Sequence, residues 1–129
     1  MEDFRRLQVY QKARAFSLEI AALVKRFPIH QQRTLGAQLD DAAESIGANI
    51  AEGCGRKNKN HGNAELIRYF HFSFGSACEV EHRLLGARDR RLIDASTHKR
   101  LEDQVCEIKR MIAGMVRALE TRDRGRVTS

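Results

Sequence analysis

Apolar residues recur along this chain at spacings of three and four, in four separate blocks. That period matches the α-helical turn, so each block reads as a helix with one buried face. In the first block Tyr10, Ala13, Ser17, Ile20, Val24 and Phe27 share a face until Phe27-Pro28 stops the helix, because proline lacks an amide donor and clashes with the preceding turn. In the second, Leu35, Leu39, Ala42, Ile46, Asn49 and Gly53 keep heptad spacing, and Ile50 widens the stripe. The third turns Leu66, Phe70, Phe74, Ala77 and Leu84 inward, with Asn63 as N-cap and the polar Glu81 on the seam. The fourth is the most regular: Asp94 is the N-cap, and Leu101, Val105, Ile108, Ile112, Met115 and Leu119 form an unbroken apolar stripe.

The pattern therefore predicts helices over about residues 5–27, 31–54, 63–88 and 94–121, with 122–129 left as a tail open to disorder. Short connections force neighbouring helices to run in opposite directions, so the expected fold is all-α, an antiparallel up-down-up-down four-helix bundle forming one domain over 1–129. No β-hairpin or βαβ pattern competes.

The second block ends unusually. Stepping back by fours from Gly55 gives Ala51, Gly47 and Ala43, a ridge of small residues that lets another helix approach closely. Asn49 interrupts the apolar stripe and is expected to set helix register by giving its amide to another helix or a second copy. Gly53 and Gly55 can take the left-handed conformation that ends a helix, and the polar, basic run Arg56-Lys57-Asn58-Lys59-Asn60-His61 follows.

Charge sharpens that observation. The chain carries a net +6, yet residues 53–63 hold three cations and no acid, residues 88–91 hold three Arg against Asp89, and residues 121–129 hold Arg122, Arg124 and Arg126 against Asp123. The rest is close to neutral, so the surplus sits at helix ends. In an antiparallel bundle the second connection and the C-terminal tail meet at one end, with Arg5 and Arg6 nearby but offset by Glu2 and Asp3. Arg accounts for 17 of the 23 basic residues; this suits bidentate contacts to phosphate or carboxylate, and GC-rich codons would give the same bias.

Composition narrows the classes. A single Pro and 42% hydrophobic residues beside 31% charged ones fit long amphipathic helices. No apolar run approaches the roughly 20 residues of a membrane span, and the N-terminus lacks the apolar core of a signal peptide. The expectation is a cytoplasmic protein without membrane contact. Cys54, Cys78 and Cys106 are isolated from one another and odd in number, which argues against a disulfide framework or a zinc knuckle and for small buried apolar positions.

With those residues in view, the chain resembles the four-helix bundle proteins encoded within intervening sequences of bacterial 23S ribosomal RNA genes, a family also labelled a ribosomal protein. The resemblance covers about residues 4–119. It rests on Leu7-Gln8-Val9-Tyr10-Gln11-Lys12-Ala13, where Trp more often stands at Tyr10, on Phe27-Pro28, on Gly75-Ser76-Ala77-x-Glu79-x-Glu81, and above all on Asn49-Ile50-Ala51-Glu52-Gly53-x-Gly55-Arg56. It marks Asn49, Glu52, Gly53, Gly55 and Glu79 as motif positions, and it implies a cytosolic helical protein whose relatives form rings, typically homopentamers, with an unsettled role. A distantly similar helical pentamer is an accessory protein to retroelement reverse transcriptases and binds nucleic acid. This chain departs from the family in a more cationic stretch after Arg56.

Catalytic patterns are thin. Glu79-x-x-His82 is one copy of a step that di-iron bundles use twice with further Glu residues, so no metal is expected, and no haem motif or other cofactor signature is present. Arg56 to His61 and Arg91 to His98 fit the Arg-x4-6-His spacing of helical HEPN-class RNases, but 17 Arg and five His make chance matches common. Phe16, Leu23 and Phe72 fall outside the main stripes and are candidates for a contact between copies. For nucleic acid the signal is electrostatic, with no aromatic platform evident because Tyr10 and Tyr69 are distant in sequence from the basic cluster. The expected function is thus a non-enzymatic homo-oligomer, pentameric by resemblance, that binds RNA or DNA non-specifically through Arg56, Lys57, Lys59, Arg122, Arg124 and Arg126. The alternatives are a protein-binding scaffold that ignores nucleic acid and, less favoured, a HEPN-like RNase.

Overall fold

The computed structural model describes residues 3–56 and 62–128, with side chains described through residue 125. Four long helices dominate: α1 (Gln8–Val24), α2 (Ala37–Gly55), α3 (Ala64–Asp89) and α4 (Ala95–Thr128). No strand occurs among the described residues. A short 3-10 turn, Phe4–Arg6, precedes α1; a helical turn, Ile29–Gln31, and a π turn, Gln32–Gly36, lead into α2. Where the sequence pattern predicts a last helix over 94–121, α4 continues to Thr128.

The apolar stripes form one core. Ile20, Leu39, Ile46, Ile50, Leu66, Phe70, Leu84, Leu101, Ile108 and Leu119 are almost fully buried, and burying each such side chain stabilises the fold by about 1.5–3 kcal/mol relative to leaving it in water. Phe16 belongs here too: it is 3% exposed, so it packs in the core and is not free for a contact between copies. Leu23 is half-buried against the same core, whereas Phe72 is exposed.

Small and hydroxylated residues set how closely α2 and α3 approach. The buried Ser73 hydroxyl donates to the Ile46 carbonyl at 2.7 Å, and the Ser45 and Ser76 hydroxyls meet at 2.6 Å. Gly53 lies against Leu66 and Tyr69, and Gly86 faces Leu35. Between α3 and α4, Glu81 accepts from Lys109 at 2.7 Å and from the Cys106 thiol at 3.5 Å. The polar residue on the seam is therefore paired, as burial of a charge demands. That pairing raises the Lys109 pKa, while burial, and then the Glu81 bond, pushes the Cys106 thiol up. Across the α1–α4 seam Lys12 meets Glu107 at 2.5 Å, and Arg100 pairs with Glu19.

The turns correct one expectation. Gly53 and Gly55 are helical; among the described residues the positive-φ positions are Gly62 at 67° and Arg91 at 60°. Arg91 closes α3 as a left-handed cap: its amide donates to the Arg88 carbonyl at 2.9 Å, and the Leu92 amide donates to the Ala87 carbonyl at 2.9 Å. At the π turn, Gly36 packs so tightly that a Cβ there would lie 2.7 Å from Val24 Cγ1 and 3.0 Å from the Gln31 carbonyl oxygen.

Candidate functional site

The basic end is built from three helix ends. α2 stops at Arg56, whose amide caps on the Glu52 and Gly53 carbonyls. One turn earlier Glu52 accepts from the Arg56 guanidinium at 2.8 Å, and that bond, with the nearby Tyr69, raises the arginine's pKa and keeps it charged. The motif position Glu52 thus has a local partner, as an i,i+4 pair on one helix face. Lys57, Lys59 and His61 lie outside the described residues.

The chain re-enters at Gly62 and Asn63, where Asp123 from α4 is waiting. The Asp123 carboxylate accepts from the Asn63 backbone amide at 3.2 Å and from the Asn63 side-chain amide at 3.1 Å. Asn63 does occupy the N-cap position, but its side chain makes no cap bond to the first turn of α3 and serves Asp123 instead. Asp123 looked like a mere charge offset in the sequence; in the fold it fastens the start of α3 to the last turns of α4. Its flanking residues, Arg122 and Arg124, are exposed at this junction, with Arg124 donating to the Thr121 hydroxyl at 3.3 Å. The side chain of Arg126 lies outside the described residues.

A feature that sequence reasoning missed lies beside Arg56. Its guanidinium carbon sits 5.3 Å from the Tyr69 ring centre, and Tyr69 meets Phe72 edge to face at 5.2 Å and 82°. Arg68 lies 5.3 Å from the Phe72 ring and 6.0 Å from that of Tyr69. Sequence distance therefore misplaced Tyr69, which lies beside Arg56 in the fold. The signal in the sequence was incomplete: the antiparallel register that sets Gly53 against Leu66 and Ile46 against Ser73 pairs Arg56 with about residue 63, and Arg56 reaches Tyr69 only across a further turn of α3.

The remaining motif positions act within helices. Asn49 is half-buried and donates to the Ser45 carbonyl of its own helix at 2.9 Å, so its amide does not bridge to another helix. Gly47 lets the Tyr10 ring approach α2, where a Cβ would stand 3.5 Å from it, whereas at Gly55 no described residue outside its own stretch of helix lies within 4 Å of that point. Glu79 is exposed and reaches Arg83 at 3.6 Å; it does not meet Glu52. Among the described residues no cluster of three or more His, Cys, Asp or Glu could hold a metal. Cys78 is exposed, unlike the half-buried Cys54 and Cys106, so only two of the three cysteines even partly fit the buried role expected of them. His98 is 5% exposed with Nδ1 3.5 Å from Glu102, while Arg91 stands exposed in the turn before α4, so the two are not presented together on an open surface.

A family model described as 23S rRNA-intervening sequence protein matches residues 5–114. The chain belongs to that family. Among solved structures, this intervening-sequence protein is similar to a protein of unknown function from the S23 ribosomal protein family of Bacteroides thetaiotaomicron, with 23% identity and a TM-score of 0.73. That similarity covers 84% of this chain and 97% of the other and shows a shared fold. No curated protein matches the chain. The family match ends at 114, so the Asp123 junction and its arginines lie beyond it. No helix among the described residues is long and apolar enough to cross a membrane.

Proposed function

We propose that this intervening-sequence protein is a non-enzymatic cytoplasmic homo-oligomer, about five copies by family resemblance, that binds RNA or DNA through phosphate contacts at the basic ends of its bundles. The topology we infer is antiparallel up-down-up-down. Its support is the reversed order of contacts, with Gly53 against Leu66, Ile46 against Ser73, Ser45 against Ser76 and Leu35 against Gly86.

The observation that carries the reading is the Asp123–Asn63 junction, because it ties the last turns of α4, which carry Arg122 and Arg124, to the start of α3. A ring would repeat that end in every copy, and repeated weak phosphate contacts add up to useful affinity. The acids at this end do not cancel the cations for a polyanion. The Glu52–Arg56 pair is exposed on both sides, and exposed pairs contribute only about 0–1 kcal/mol. A phosphate can therefore exchange for the carboxylate.

The test is titration of a short RNA and a short DNA at several salt concentrations. Replacing Arg56, Lys57 and Lys59 with Ala, or Arg122, Arg124 and Arg126 with Ala, is expected to weaken binding to all sequences. Each lost contact should flatten the slope of log affinity against log salt by about 0.7–0.9. An unchanged slope overturns the reading. A second reading, the protein-binding scaffold, draws on an apolar-lined groove along the α1–α4 seam at Leu7, Val9, Met111 and Met115. It predicts no nucleic-acid binding above that of a charge-matched control protein.

A further inference from the structure

Phe72 poses a question that the basic end alone does not answer. It is a large ring left 44% exposed on the outer face of α3, and what sets it apart from the singly exposed Leu18, Ile29 and Leu85 is that a second ring and two guanidinium groups lie against it and its neighbour. Its surroundings are ordered. The edge-to-face contact with Tyr69 fixes the angle between the rings, and a guanidinium stands near each, Arg68 by Phe72 and Arg56 by Tyr69.

We propose that Phe72 and Tyr69 form a stacking surface for the bases of single-stranded nucleic acid, with Arg56 and Arg68 taking the adjoining phosphates. This rests on the reading of the basic end as a phosphate-binding surface and extends it from charge to strand type. The occupant follows from complementarity. A guanidinium lies over each ring, and the part of Phe72 left in solvent offers a π surface to an unpaired base while the arginines offer bidentate donors to its phosphate. Both arginines are held by exposed carboxylates, Arg56 by Glu52 at 2.8 Å and Arg68 by Glu65 at 3.5 Å. Those bonds pre-orient the side chains yet are weak enough to yield to a phosphate. A duplex cannot use the rings, because its bases are already stacked and paired; it can engage only the cations.

The experiment compares a single-stranded oligonucleotide with a blunt duplex of the same sequence, using fluorescence anisotropy on the full chain and its Phe72→Ala, Phe72→Leu and Phe72→Trp variants. Phe72→Ala is expected to weaken single-strand binding about ten-fold, within the range seen for loss of one base stack, and to leave duplex binding and the salt slope unchanged. Phe72→Leu should fail to restore affinity and Phe72→Trp should retain it, which separates stacking from apolar contact. Circular dichroism melts of the variants exclude unfolding as the cause. Equal weakening of both substrates, no weakening of either, or rescue by Leu overturns the stacking surface while leaving the basic end intact. A fall in oligomer mass by light scattering on Phe72→Ala also overturns it, because the ring would then face a second copy. Wild-type protein that binds neither substrate overturns both this proposal and the reading beneath it.

Discussion

Single residues in this chain do different work from what their chemistry first suggests, and glycine is the clearest case. Gly53 is helical and buried because α3 presses on it: a Cβ there would stand 2.8 Å from Tyr69 Cβ and 3.2 Å from Leu66 Cδ1. The left-handed cap belongs instead to Arg91, at a φ of 60°. Opposite outcomes are therefore expected from two substitutions. Gly53→Ala should lose up to about 2 kcal/mol, since overpacking at about 1–3 kcal/mol, here against the stiff Tyr69 Cβ, outweighs alanine's helix advantage of about 1 kcal/mol. Arg91→Gly should gain about 0.5–1 kcal/mol by relieving the Cβ clash of the left-handed conformation. Urea unfolding of both variants checks the signs; a destabilised Arg91→Gly would mean that the arginine side chain holds the turn. Gly53 was legible as a special position from sequence. Its reason was not, because close approach is a property of two helices and the sequence displays one at a time.

Among the helices, the periodic stripes told most of the story. Leu101, Val105, Ile108, Ile112 and Leu119 are buried as the heptad pattern requires, and Asp94 caps α4 by accepting from the Thr97 amide at 2.7 Å, which holds its carboxyl below the usual range. The start of α3 departs from the simple rule. An N-cap Asn ordinarily turns back on its own helix, yet Asn63 is spent on Asp123, sixty residues away. α3 thus depends on α4 for the anchoring of its first turn. Asp123→Ala is expected to destabilise the fold by about 1–3 kcal/mol, the scale of losing hydrogen bonds to a charged, partly buried acceptor. Amide exchange should quicken first at residues 62–66; uniform quickening across all helices would argue against a local tie.

At the scale of the molecule, the proposed phosphate binding rests on the proposed assembly. A single copy offers few cations at its basic end, too few for strong non-specific binding at physiological salt, whereas a ring multiplies the field. Light scattering on nuclease-treated protein is expected to give a mass about five times that of the chain, and the mass should hold as salt rises, because apolar contacts rather than charges would join the copies. A monomer at all salt concentrations would remove the multivalency on which the proposed binding depends. The aromatic pair beside Arg56 adds what charge lacks, a means of telling an unpaired strand from a duplex.

The sequence by itself determined the helices, the core stripes and the family, because helical periodicity and contiguous motifs are local properties that each segment carries within it. It also revealed that the surplus charge sits at helix ends. Only the tertiary structure decided which residues meet across helices: Asp123 with Asn63, Arg56 with Tyr69, Ser73 with Ile46. Those contacts depend on helix rotation and vertical offset, which the packing of Gly47, Gly53 and the serines sets to within a fraction of a turn. The spacing of apolar residues names the buried face but leaves that offset open.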